Sequence, residues 1–176
     1  MTLERTPFPG SEATAVEIFR LAEEYRIAAN ALSALGRSGD HLSRAPFRLT
    51  ATHAVELYLN AWMLLDGVSP AAIRALHHDL GKRADHALAS GLGLRGRTAA
   101  HLVAMSDRRE YLVSRYAPRQ FGTLSQINRL TATMDEIAAK VKQRIDRQAA
   151  TGAPDVCGRD NMCRSQKVAE SAPRPR

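Results

Sequence analysis

The sequence predicts an all-α protein: an up-and-down bundle of about five helices followed by a disordered C-terminal tail. Apolar residues recur at three- and four-residue steps over five segments, and no stretch shows the strict period-two alternation of a half-buried strand. Each segment is closed by Gly or Pro with short connections, as antiparallel neighbours require. With 176 residues, 44% of them apolar and 24% charged, the chain is long enough for one sizeable core without disulfides. Residues 11–150 are expected to form the bundle and residues 151–176 a flexible basic tail, because Pro, Ser, Gly and charges replace the periodic apolar residues from Gly152 onward.

The first helix is expected to open at Ser11 and to carry Ala15, Phe19, Ala22, Tyr25, Ala29 and Leu32 on one stripe until Gly36 ends it. A second starts near Pro46, whose missing N–H is harmless in a first turn, and runs to Gly67. It is apolar around most of its circumference, which makes it the expected central helix. Ser69 and Pro70 cap a third helix, which continues through ALHHDLGK to Gly91 and Gly93 and forms a hairpin with the second. A fourth runs from Arg97 or Thr98 to Pro118 with the stripe Leu102, Met105, Leu112 and Tyr116. The fifth, from Thr123 to about Ala150, has the cleanest stripe: Leu124, Ile127, Leu130, Met134, Ile137, Val141 and Ile145. That stripe suits packing onto the bundle or a heptad seam between two copies.

Composition excludes a low-complexity or fibrous chain, and the longest apolar runs are about half the ~20 residues a bilayer span needs. The first 30 residues carry no basic-then-apolar signal, so a cytoplasmic location with no membrane partner is expected. The net charge of +7 is unevenly placed. Residues 1–73 carry six Arg against eight acids, whereas residues 74–119 carry nine basic residues against four acidic. A polyanion such as RNA would be drawn to that middle segment, although an Arg-rich codon usage also explains 21 Arg against four Lys. Cys157 and Cys163 are expected to be free thiols, since two further ligands would be needed for zinc.

Two clusters could carry chemistry. His77, His78 and Asp79 lie together, with His53 on the preceding helix. This arrangement resembles the HD-domain phosphohydrolases, which implies His53, His78 and Asp79 as metal ligands, Asp107 or Asp135 as the last, and a metal-bound water attacking a phosphate ester. A second resemblance covers roughly residues 12–118. Glu56, Leu57, Leu59, Ala61, Gly67, His78, Asp79, Leu80, Arg115 and Tyr116 follow, in order and spacing, the pattern of the HEPN superfamily of small prokaryotic helical bundles, with Asn60 where Lys is usual. That resemblance is preferred because it also accounts for Glu56, the Gly67 turn and the Arg115-Tyr116 ending.

Many HEPN proteins are metal-independent ribonucleases with an Arg-x(4–6)-His motif near the start of the last core helix. Arg48 with His53 and Arg95 with His101 both have the spacing, and position favours Arg95 and His101. The resemblance then implies His101 as the base that removes a 2′-hydroxyl proton and Arg95 as the group that stabilises charge on the phosphate, with neither metal nor cofactor. Arg108, Arg109, Arg115 and Arg119, with Tyr111 and Tyr116 to stack on bases, are the expected RNA contacts; on one continuous helix Arg108, Arg115 and Arg119 would share a face. Glu56, inside a mostly apolar helix, requires a buried partner, either Arg115 or an Arg of the third helix.

The expected function is therefore a HEPN-like module binding RNA or a nucleotide, in catalytic form a ribonuclease of the toxin or defence type. A homodimer and an antitoxin or nucleotidyltransferase partner are the protein partners that the resemblance implies. The alternatives are the HD-type phosphohydrolase and a non-catalytic bundle that dimerises through the fifth helix.

Overall fold

The computed structural model describes residues 8–152, which are helical and contain no strand. The expected tail beyond Gly152, with Cys157 and Cys163, lies outside the described residues. The helices are α1 (Ala15–Ser33), α2 (Ala45–Leu65), α3 (Pro70–Ala75), α4 (Leu80–Ala89), α5 (Gly96–Asp107), α6 (Glu110–Tyr116) and α7 (Ile127–Gly152), with 3₁₀ segments at His41–Arg44 and Pro118–Thr123. None of the described helices is long and apolar enough to cross a membrane.

The central position of α2 follows from its composition. It packs against α1, α3, α4, α6 and α7, and buries side chains on every face. Ala51, Ala54 and Ala61, fully buried with Ala22 and Ala29 of α1, let the two backbones approach closely. Between them Phe19 packs against Tyr58 at 5.7 Å, and the Tyr58 hydroxyl donates to Glu23. Leu130, Met134, Ile137 and Val141 of α7 complete the core with no exposure. The apolar stripe of α7 is thus turned onto the bundle, which corrects the alternative in which it forms a dimer seam.

Gly67 and Gly91 end α2 and α4 as expected. At φ +80° and +94° they take the left-handed conformation that glycine adopts without cost, and the following N–H reaches back five residues, Val68 to Met63 at 3.0 Å and Leu92 to Ala87 at 2.8 Å. The start of α1 moves from Ser11 to Thr14, where Thr14 and Glu17 form a reciprocal capping box. Two expected helices are broken, giving seven elements instead of about five. The third divides at Leu76–Asp79, where His77 has φ +49°; the fourth divides at Arg108–Arg109, where Arg109 has φ +52°. Both residues occupy the C′ position that glycine usually fills, and each donates its N–H back to the ending helix, His77 to Arg74 at 3.0 Å and Arg109 to Ser106 at 2.9 Å. A Cβ in this conformation costs about 1 kcal/mol. Arg109→Gly is therefore expected to raise the unfolding free energy by about 0.5 kcal/mol, after the larger unfolded-state entropy of glycine is set against the relieved strain; urea denaturation measures it.

The second break has consequences for the surface. Leu112 and Tyr116, expected on the buried stripe, are exposed, Tyr116 by 74%. Val113 is buried instead, packed with Phe121 and Leu124 in a small satellite cluster beneath the 3₁₀ segment. The expected fifth helix begins at Ile127, because Pro118–Thr123 has become that 3₁₀ segment.

Candidate functional site

Glu56 sits in the middle of α2, 8% exposed, where a lone carboxylate would be costly. Its partner is Arg83 of α4, 2% exposed, an arginine of the third expected helix. Arg83 Nη2 lies 3.2 Å from Glu56 Oε1, and Nε donates to Asn60 Oδ1 at 2.8 Å. The remaining guanidinium hydrogens go to the carbonyls of Ile73 and Leu76 at 3.4 Å and Asp79 at 3.3 Å, each of which also accepts a backbone N–H across the α3–α4 break. One buried cation thereby neutralises Glu56 and seals the break between α3 and α4.

The same carboxylate orients His78. Its Nδ1 lies 3.1 Å from Glu56 Oε2, which holds the proton on Nδ1 and leaves Nε2 as the lone-pair site. Tyr111 of α6 packs on the ring at 5.2 Å, and His78 is half-exposed. His53 is close to this group, its ring edge-on to Tyr25 at 4.4 Å. Burial pushes the His53 pKa below its ordinary value; Glu56 opposes this, and Arg115 and His78 add to it.

Asp79 does not join them. It caps α4, accepting from Lys82 N–H at 3.0 Å and from Ser106 Oγ at 2.7 Å. Asp135 lies 3.8 Å from Arg26 instead. Among the described residues no group of three or more His, Cys, Asp or Glu side chains gathers as metal ligands, so the HD-type set of His53, His78, Asp79 and Asp107 or Asp135 is not assembled.

Arg95 and His101 require the main correction. Arg95 is the N-cap of α5 but cannot cap with its own side chain; Glu136 of α7 does so, accepting Arg95 N–H and Nε at 2.7 Å and the Thr98 hydroxyl at 2.5 Å. Burial alone would raise the Glu136 pKa, but hydrogen bonds from Thr98 and Arg95 outweigh it and hold the carboxyl below its ordinary value. His101 points the other way, into the bundle, and is 1% exposed. Nε2 lies 2.8 Å from Ser125 Oγ and Nδ1 lies 2.7 Å from Thr133 Oγ1. The buried Glu110 takes both the N–H and the hydroxyl of Ser125 through one oxygen, so Ser125 must accept from His101 Nε2–H, and Nδ1 accepts from Thr133. Burial, with Arg129 and Arg108 nearby, pushes the His101 pKa down to about 4. His101 is a neutral structural bridge between α5, α7 and the segment joining them, with both nitrogens engaged, and it does not face a site with Arg95.

Arg48 and His53 are separated as well. His53 faces Tyr25, while Arg48 is 6% exposed and the Nε and Nη1 atoms of its guanidinium have no hydrogen-bond partner among the described residues.

Arg108, Arg109, Arg115 and Arg119 are all exposed. They do not share one helical face, because Arg108 closes α5, Arg109 is the left-handed link, Arg115 ends α6 and Arg119 lies in the 3₁₀ segment. Arg108 is 3.6 Å from the buried Glu110; the other three pair with no described carboxylate. They follow one another along the chain from the end of α5 through α6 to the 3₁₀ segment, and Tyr116, next to Arg115 in α6, is exposed.

From the sequence Arg83 is singled out only as an arginine of the third expected helix, Asn60 only as standing where Lys is usual, and Tyr111 is expected to stack on bases rather than to pack on His78. A signal for Asn60 existed, four residues from Glu56 and therefore on the same face of α2. Comparison of the chain with protein-family models, with curated proteins and with solved structures finds no match.

Proposed function

We propose that the protein is a HEPN-like helical module that binds single-stranded RNA or a nucleotide along the ridge of α6, with the Glu56–His78 pair beside it as the acid–base centre. The observation that carries this reading is the position of Tyr111. It belongs to the same seven-residue helix as Arg115 and Tyr116 and packs on His78, so a strand held by the arginines passes an imidazole whose tautomer is already fixed. Exposed arginines attract phosphates, exposed tyrosine stacks on unpaired bases, and both are insensitive to sequence. In the ribonuclease form of this proposal, His78 Nε2 takes the 2′-hydroxyl proton and the 2′-oxygen attacks the adjacent phosphorus. The 5′-oxygen of the next nucleotide leaves with that proton, and a 2′,3′-cyclic phosphate remains. Homodimerisation belongs to the same proposal, through surfaces other than the buried stripe of α7.

Fluorescence anisotropy of a labelled single-stranded RNA at rising salt tests the binding. About three phosphate contacts predict a slope near −2 in log K against log salt, and Arg115→Ala or Arg119→Ala should each reduce it by about 0.7. Salt-insensitive binding, or slopes equal to wild type in both variants, would sink the reading. In excess EDTA, cleavage with cyclic-phosphate ends is expected to be lost in His78→Ala and retained in His101→Gln.

A further inference from the structure

Beside the Glu56–His78 pair, between α2, α3 and the segment that precedes α1, lies a cavity of about 390 Å³. We infer that it is a mononucleotide pocket, with the base on the floor formed by α2 and the phosphate at Arg74 and His77. The inference deepens the RNA-or-nucleotide reading and rests on it.

The floor is polar and directional. Asn60 and Glu56 are four residues apart on one face of α2, and both line the cavity. Because Asn60 Oδ1 accepts from Arg83 Nε, its amide nitrogen is left as a donor of known direction. Glu56 Oε2 is used once, by His78, and keeps a lone pair. A donor and an acceptor side by side match the hydrogen-bonding edge that every nucleobase presents and that a hydrocarbon does not.

The walls suit a flat ring. Ile18, Leu64 and Ile73 line them, and Phe8 stands at the mouth with the Arg74 guanidinium 4.2 Å from its centroid. Such a volume, with mostly apolar walls and a few converging polar groups, is that of a site for a small organic ligand. The cation of the rim is Arg74, exposed and ion-paired with no described carboxylate, and His77 lines the cavity beside it in the left-handed conformation. An apolar slot with a base-reading floor and a cationic rim calls for a ring that carries an anion.

Calorimetric titration of the full chain with AMP, UMP, adenosine and inorganic phosphate tests the assignment, together with anisotropy of an RNA octamer. AMP or UMP should bind, adenosine about tenfold more weakly, and phosphate not measurably. Arg74→Glu should lower the mononucleotide affinity by about tenfold and leave adenosine unchanged, whereas Phe8→Ala should weaken both. Both positions are exposed, so neither variant threatens folding, and thermal melting checks this. No mononucleotide binding, or binding indifferent to both substitutions, overturns the pocket. If the octamer binds in an Arg115-dependent way while mononucleotides do not, the pocket is wrong and the ridge reading stands. If mononucleotides bind as described and the octamer does not, the pocket stands and the strand reading falls.

Discussion

Arg83→Ala is expected to lower the unfolding free energy by about 3–5 kcal/mol, the range found when one partner of a buried ion pair is removed. For a chain of this size the melting temperature should drop by on the order of 10 °C. Two losses combine. Glu56 would be left in the interior with only His78 beside it, and the carbonyls of Ile73, Leu76 and Asp79 would lose the guanidinium donors that tie α3 to α4. Lysine offers no remedy, because one ammonium cannot reach three carbonyls, a carboxylate and the Asn60 amide from a single direction. The double variant Arg83→Met with Glu56→Leu removes both charges and should recover a large part of the loss, which separates the cost of the orphaned carboxylate from that of the lost guanidinium–carbonyl bonds. Urea denaturation of the wild type, Arg83→Met, Glu56→Leu and the double variant gives the cycle. A loss below about 1 kcal/mol in Arg83→Ala would mean that the pair is solvated and stabilises nothing.

This linchpin was half legible in the sequence. Glu56 within an apolar helix demanded a buried cation, and the third helix was one of two sources expected to supply it. The identity of the arginine was not readable, because it depends on how far α4 turns after a break that no residue announces. Gly67 and Gly91 marked their helix ends, since glycine is the residue that adopts a left-handed C′ position freely. His77 and Arg109 adopt the same position in spite of a Cβ, so the third and fourth helices looked continuous and their halves were placed on common faces. The fold class survives such errors, because the stripes of α1, α2 and α7 specify the core whichever way α6 points. A site does not survive them. Moving Arg115 and Tyr116 onto a new short helix put them on the element whose Tyr111 packs on His78, and turning α5 inward carried His101 away from Arg95. Spacing of four to six residues measures distance along a chain, and here Arg95 is an N-cap facing Glu136 while His101, on the inward face, meets Ser125 and Thr133.

His101 itself should make the bundle acid-sensitive. The sign follows from the two pKa values: the unfolded chain takes up a proton near 6.5 and the native state only near 4. Between those values the unfolded state binds more protons than the native one, so stability falls as the pH falls and is level above about 7. From pH 7 to 4.5 the contribution amounts to about 2 kcal/mol. Protonation is opposed from every side of the ring: Thr133 and Ser125 occupy its nitrogens, Arg129 and Arg108 repel the new charge, and the Glu110 carboxylate is already engaged by Ser125. His53 is shifted in the same direction by burial and adds to the slope, so the wild-type profile alone does not isolate His101. His101→Gln does, because its amide can still donate toward Ser125 but does not titrate. The variant should be less stable than wild type at pH 7, through imperfect hydrogen bonds to Ser125 and Thr133, and should lose about 2 kcal/mol less on acidification. Urea midpoints at pH 7.0, 5.5 and 4.5 for both proteins measure the difference; parallel profiles would show that His101 protonates as readily in the folded state as in the unfolded one, and that the ring is reached by solvent after all.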